Sequence, residues 1–214
     1  MAEHMTLELA GETVELHADR ALYWPARRRL VIADLHLGKA DTFRRAGIAL
    51  PSGGTVHDLD RIETLLQATA AADLWVLGDM LHGNPDPRRW REGWDAFRAR
   101  LPALRIVVVA GNHDRALHHA GLDVDIEDNP VHDAPFVFSH DPAEDHRGLV
   151  LCGHLHPVVR APGIHRRRFP AFALAQFHCV LPAFSVFSGG CEIERGRGYR
   201  RWVCADDAVL ELPG

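Results

Sequence analysis

Four short stretches of this sequence hold the residues best able to do chemistry. They are Asp34-Leu35-His36, Gly78-Asp79-Met80-Leu81-His82, Gly111-Asn112-His113-Asp114 and Gly153-His154-Leu155-His156. A lone His140, in Ser139-His140-Asp141-Pro142, precedes the last of them. Asp34, His36, Asp79, Asn112, His140, His154 and His156 together offer two carboxylates, one amide and four imidazoles. Oxygen and nitrogen donors without thiolate suit divalent Mn, Fe, Zn or similar ions rather than a soft copper site. Seven donors are too many for one ion and fit two ions that share a carboxylate. Two close ions lower the pKa of a bridging water and clamp both ends of an in-line displacement at phosphorus. Fifteen histidines, the commonest metal ligand, point the same way.

Each stretch is preceded by an apolar run. Arg29 to Ala33, Leu74 to Leu77, Arg105 to Ala110 and Leu149 to Cys152 read as buried strands that deliver donors at their carboxyl ends. Phe136-Val137-Phe138 does the same for His140. Thr6 to Leu9 and Thr13 to Leu16 alternate as a hairpin turned at Ala10-Gly11, and Ala21 to Trp24 is a further short strand. Gly38 to Ala46 is expected as a short helix closed by Gly47, and Ile48 to Gly54 as a loop. Thr55 to Ala72 carries Leu59, Ile62, Leu65 and Leu66 at amphipathic spacing. Arg88 to Arg100 places Trp90, Trp94 and Phe97 on one helical face, a core pattern more than a base-stacking one. A short helix over Ala116 to Ala120 and an edge strand over Val124 to Ile126 follow. Strand-like segments fill Phe169 to Leu212. Strands alternating with helices, then mostly strands, predict a layered α/β protein with residues 1–214 as one domain.

The motifs Asp-x-His, Gly-Asp-x-x-His, Gly-Asn-His-Asp and Gly-His-x-His, in this order, resemble the binuclear metallophosphoesterases (calcineurin-like phosphoesterases). The resemblance implies a four-layer αββα sandwich of two mixed β-sheets flanked by helices. It implies that Asp34, His36 and His156 hold one ion, that Asn112, His140 and His154 hold the other, and that Asp79 bridges them with a hydroxide. His113 would be a general acid that protonates the leaving oxygen, and Asp114 would orient it. His82 departs from the pattern, since many members carry Asp or Arg there.

A narrower resemblance rests on Asp34-Leu35-His36-Leu37-Gly38-Lys39, Phe43-Arg44, Gly47, Pro51 and Gly53, with His140-Asp141-Pro142 and His156-Pro157. These are similar to small bacterial endonucleases of the ligase-associated DNA-damage-response group. That implies a phosphodiesterase acting on DNA, single-stranded DNA first, in repair. The implied metal is Mn2+, with Fe, Zn, Ni and Co as alternatives, and the implied repair partners are a ligase, a helicase and an exonuclease. Lys39 and Arg44, near an expected helix N-terminus where phosphate is favoured, join His82 as candidate substrate contacts. Two other readings stay open. One is a small-nucleotide phosphatase or pyrophosphohydrolase of the same chemistry. The other is an inactive scaffold, which the intact donor set disfavours.

Composition sets the remaining bounds. Hydrophobic content of 47% and charged content of 25% are ordinary for a globular protein. No apolar stretch could span a bilayer, and Met1-Ala2-Glu3-His4-Met5 is not a signal peptide, so a cytoplasmic protein is expected. Cys152, Cys179, Cys191 and Cys204 form no Cys-x-x-Cys pair and are expected as buried reduced thiols. The formal charge of −5 counts ligand carboxylates as free anions and does not argue against an anionic substrate. The single lysine stands against twenty-three arginines. Arg27 to Arg29, His165 to Arg168 and Arg195 to Arg201 are candidate tracks for a nucleic-acid backbone.

Overall fold

The computed structural model describes residues 3–48, 53–82, 87–160 and 167–213, with the side chains of 87–89 excepted. Met1-Ala2, Pro51 and His165-Arg166, which enter the sequence arguments above, lie outside the described residues.

The chain opens with a hairpin of β1 (His4–Leu9) and β2 (Glu12–His17). Ala10 at φ 51° and Gly11 at φ 83° form the left-handed two-residue turn that matches strand twist. β3 (Ala21–Trp24) and β4 (Arg29–Ala33) extend this antiparallel part. Next come α1 (Lys39–Arg45), α2 (Gly54–Thr69), β5 (Asp73–Leu77), α3 (Pro87–Arg100), β6 (Arg105–Val109) and the short β7 (Asp125–Glu127). β4, β5, β6 and β7 are parallel neighbours, so the first sheet is mixed, in the order β1 to β7.

The second sheet uses β8 (Val131–Asp133), β9 (Phe136–Phe138), β10 (Leu149–Cys152), β11 (Val158–Arg160), β12 (Arg168–Leu174), β13 (His178–Val180), β14 (Arg200–Ala205) and β15 (Ala208–Leu212). β9, β10 and β13 run parallel and the rest antiparallel, so this sheet is mixed as well.

The apolar runs are continuous because β4, β5 and β6 are covered on both faces. Leu30, Ile32, Leu74, Val76, Ile106 and Val108 face the helices, packing with Leu59, Ile62, Leu65, Trp94 and Phe97. Their alternating neighbours Val31, Trp75, Leu77 and Val107 face the second sheet, against Phe136, Phe138, Leu151, Phe172 and Trp202. Trp90 and Trp94 are buried in the helical layer, which excludes them as an exposed base-stacking surface. The outer face of the second sheet is covered by Val159 of β11, Ile193 and the side chain of Tyr199. Among the described residues that outer layer holds no helix.

Several boundaries move for physical reasons. α2 stops at Thr69, because Ala70 turns left-handed at φ 51° and its carbonyl accepts from the Arg28 guanidinium at 2.8 Å. The turn after the third donor stretch is a 3-10 helix over Asp114–His119, beginning before the expected Ala116. Val131–Asp133 pairs with β9 although its sequence gives little strand signal. No helix among the described residues is long and apolar enough to cross a membrane.

Three of the four cysteines are buried, but Cys191 is exposed. Burial pushes the Cys179 and Cys204 thiols up to about 12 and raises Cys152 as well. Titration of the native protein with a chromogenic disulfide near neutral pH should therefore show one fast thiol, lost in Cys191→Ser. Truncation of Trp94 should lower stability by about 3–5 kcal/mol in urea unfolding, because a large void opens between α2, α3 and the sheet.

Candidate metal centre

Every donor stretch leaves the carboxyl end of a parallel strand. Asp34 and His36 follow β4, Asp79 follows β5, Asn112 follows β6, His140 follows β9, and His154 and His156 follow β10. Register does the gathering, since Ala33 pairs with Leu77 and Leu77 with Val109. The two sheets meet here through a parallel bridge between Ala33 and Ala183. All seven predicted donors are thereby brought to one edge of the sandwich.

They form two sets. In the first, His156 Nε2 lies 3.4 Å from His36 Nε2 and 3.4 Å from Asp34 Oδ1. In the second, His140 Nε2 lies 2.9 Å from Asn112 Oδ1 and 3.1 Å from His154 Nδ1. Donors bound to one ion at about 2.1 Å sit roughly 3.0–3.4 Å apart, so both sets have the spacing of a ligand shell. Asp79 lies between them, with Oδ2 3.9 Å from His36 Nε2 and Oδ1 3.6 Å from His140 Nε2. Asp34-His36-His156, Asp34-Asp79-His140 and His140-Asp141-His154 are each grouped closely enough to hold an ion.

The outer contacts fix which atoms face inward. His140 Nδ1 donates to the Leu77 carbonyl at 3.3 Å, and His156 Nδ1 donates to the Gly189 carbonyl at 3.0 Å. Each leaves an Nε2 lone pair turned into the site. In the neutral form that a metal ligand needs, His140 would set that lone pair against the Asn112 oxygen, acceptor against acceptor, and a cation between them would resolve the conflict. Asp34 accepts from the His154 N–H at 3.0 Å and Asp79 from the His113 N–H at 3.0 Å. Burial first, then the Lys39 and histidine charges, lowers the His36 pKa to about 2, so this ring is neutral, as a ligand must be.

The backbone here is strained. Asp34, His36, Asp79, His154 and His156 all have positive φ, between 48° and 68°. Such residues cost of order 1–3 kcal/mol each and persist where the surroundings fix them. Two glycines admit the crowding. A Cβ on Gly78 would stand 2.1 Å from His140 Nδ1, and one on Gly153 would stand 2.6 Å from Asp34 Oδ2.

The remaining predicted residues are placed as follows. The His113 ring is 46% exposed, with Nε2 4.0 Å from Asp79 Oδ2, at the mouth of the centre. Asp114 does not bond to that ring, contrary to expectation. Its buried carboxylate accepts from the Leu81 N–H at 3.0 Å and the Gly111 N–H at 2.9 Å, and so ties two donor loops together. His82 lies flat against His113 at 5.8 Å and against Phe43 at 6.1 Å. Lys39 is buried, donates to Ser188 Oγ at 3.1 Å, and lies close enough to Asp34 and Asp79 to feel both charges. Arg44 sits in the last turn of α1, not near its N-terminus, and pairs with Asp41. Ser188 and Gly189 were not singled out by the sequence, because contacts to the 183–189 loop leave no local spacing signal.

Among the described residues, several arginines of the basic clusters are engaged within the fold and do not line a track. Arg29 is buried and bonded to Asp73 and Asp133, and Arg27 also pairs with Asp133. Arg201 is buried against the Ile193 and Pro213 carbonyls, while Arg197 and Arg200 pair with Glu194 and Glu211.

The chain belongs to the calcineurin-like phosphoesterase family, whose model matches residues 27–173. Two mixed sheets with helices and a donor-lined edge are what that family requires, and membership makes this chain a metal-dependent phosphoesterase that uses two divalent ions. Among solved structures it is similar to the Pseudomonas putida nuclease MPE, at 34% identity and a TM-score of 0.84 over 98% of this chain and 100% of that chain. A protein of unknown function from Aquifex aeolicus matches at 21% identity and a TM-score of 0.42 over 60% of this chain and 78% of that chain, too distant to support any conclusion. No curated protein matches the chain.

Gly78→Ala should weaken Mn2+ binding by about 10–100-fold, the usual penalty for disturbing a ligand's support. Titration calorimetry on metal-stripped protein checks this, and unchanged affinity would show that the His140 position does not depend on that space.

Proposed function

We propose that this protein is a two-metal phosphodiesterase that cuts DNA internally, single-stranded DNA foremost, in the service of DNA repair. Asp34, His36 and His156 would hold one ion, and Asn112, His140 and His154 the other, with Asp79 facing both. The donor set suits Mn2+, with Fe, Zn, Ni and Co as alternatives. The observation that carries this reading is the Asp79 carboxylate, with one oxygen toward each donor set. When bound, the ions supply an activated water and stabilise charge at phosphorus.

The chain's own residues do the rest. His113 has its backbone N–H fixed on Asp79 and its ring exposed at the mouth, where it can protonate a leaving oxygen. His82, stacked beside it, holds the plane of that ring. Asp114 positions His113 through the loop backbone rather than through the imidazole. Lys39, buried beside the two carboxylates, offsets part of their charge and anchors the 183–189 loop through Ser188. The nucleic-acid half of the reading is supported by the near full-length similarity to the Pseudomonas putida nuclease.

Circular single-stranded DNA has no ends, so any product requires an internal cut. With added manganese the protein should linearise the circle. Chelation and Asp79→Ala should each abolish the cut, and His113→Ala should slow it by about 10²–10⁴-fold. An intact circle alongside hydrolysis of p-nitrophenyl phosphate would remove the DNA reading and turn attention to small nucleotides.

A further inference from the structure

Beside the metal centre lies a second polar pocket of about 260 Å³, lined by Arg20, Arg61, Arg167 and Arg168 with Asp19 and Asp206. It is built from the same edge of the sandwich. The turn between β2 and β3 reaches that edge because β3 runs antiparallel to β4, with Leu22 opposite Val31. β12 begins and β14 ends there, as the pairings Ala173–Val180 and Ala171–Val203 require. The 183–187 loop joins the two places. Its Ser185 N–H donates to the Asp34 carbonyl at 3.4 Å, while Val186 lines the pocket.

The charges in the pocket do not cancel. Arg61 is fully engaged, by Asp19, Asp58 and the Phe184 carbonyl. Arg167 pairs with Asp206 at 2.8 Å and packs over Phe169. Arg20 is different. Only its Nη1 is bonded, to the Ala183 and Ser185 carbonyls at 3.3 and 3.2 Å, and it has no carboxylate partner among the described residues. Its backbone is left-handed at φ 65°, a conformation costly for arginine. Burial first, then the adjacent Arg61 charge, disfavours its charged form, and the nearby Asp58 and Asp19 charges offset part of that. Arg168 is exposed and lines the pocket, and its guanidinium has no hydrogen-bond or ion-pair partner among the described residues. Two guanidinium groups that bond to no carboxylate among the described residues, in a concave polar site where arginines outnumber aspartates, are a receptor for an oxyanion, and phosphate fits their fork geometry.

We propose that this pocket binds a backbone phosphate of the nucleic-acid strand, one other than the phosphate being cut. The inference rests on the nuclease reading above and adds to it a fixed path for the strand across the edge of the sandwich. The site selects a polymer over a mononucleotide, because only a polymer can fill both places at once.

Equilibrium binding of a fluorescent single-stranded oligonucleotide, measured in calcium across a salt series, tests this. Arg168→Glu and Arg20→Gln should each weaken binding about 10-fold, and Arg168→Glu should lower the slope of log affinity against log salt by about one. Arg105→Glu, the same charge change at the opposite edge, should stay within about twofold of wild type. The exposed Arg168 side chain makes no hydrogen bond or ion pair among the described residues, so its variant remains informative if Arg20→Gln is unstable. Oligonucleotide affinity in Arg168→Glu equal to that of wild type would overturn the proposal. If, in addition, that variant loses stabilisation by inorganic phosphate in thermal melts, the pocket is a free-anion site instead. A wild type that hydrolyses bis-p-nitrophenyl phosphate but does not bind the oligonucleotide would instead sink the nuclease reading itself.

Discussion

Asp34 and Asp79 are carboxylates with 0% and 3% exposure, set at the ends of adjacent parallel strands. Two negative charges that deep cannot stand without compensation. Backbone N–H groups of His154 and His113 supply part of it, and Lys39 supplies another part. The inward-facing His36 imidazole, held neutral by burial, adds none. The residual deficit is what two divalent cations would fill. Much of the local structure, from the left-handed donors to Gly78 and Gly153, exists to hold these two carboxylates where cations can reach them.

The two-sheet architecture makes that arrangement possible. One parallel sheet would present donors along a single line. Here β4, β5 and β6 supply the carboxylates and the amide, while β9 and β10 of the facing sheet supply three imidazoles. The inter-sheet core of Trp24, Trp75, Phe136, Phe138, Phe172 and Trp202 sets the distance between the two donor rows. Close packing of large rings resists compression, so the gap is held without help from the ligands themselves.

Arginine does several jobs in this chain, and its position in sequence does not reveal which. Arg29 and Arg201 stand inside basic clusters yet are buried structural groups, the first bonded to carboxylates and the second to backbone carbonyls. Arg20 stands in no cluster, yet its guanidinium reaches the same edge as the donors, where it bonds backbone carbonyls and no carboxylate among the described residues. Surface ion pairs such as Arg197–Glu194 and Arg200–Glu211 contribute little to stability and remove charge from any continuous track.

The sequence by itself determined the core strands and the donors. An apolar run ended by Asp, Asn or His is a local pattern, and a strand buried on both faces can hardly be written otherwise. The hairpin at Ala10-Gly11, the helix faces of Leu59 to Leu66 and Trp90 to Phe97, and the strand ends that carry the seven candidate donors were legible for that reason. The structure alone decided what those donors touch. Asp114 turned away from His113 toward two backbone N–H groups, Arg44 fell at the far end of its helix, and Cys191 came to the surface. The Lys39–Ser188 contact, and the pocket around Arg20, join residues more than 100 positions apart. Such contacts leave no spacing in the sequence. They follow from strand register and from the way the two sheets close on each other, which only the folded chain specifies.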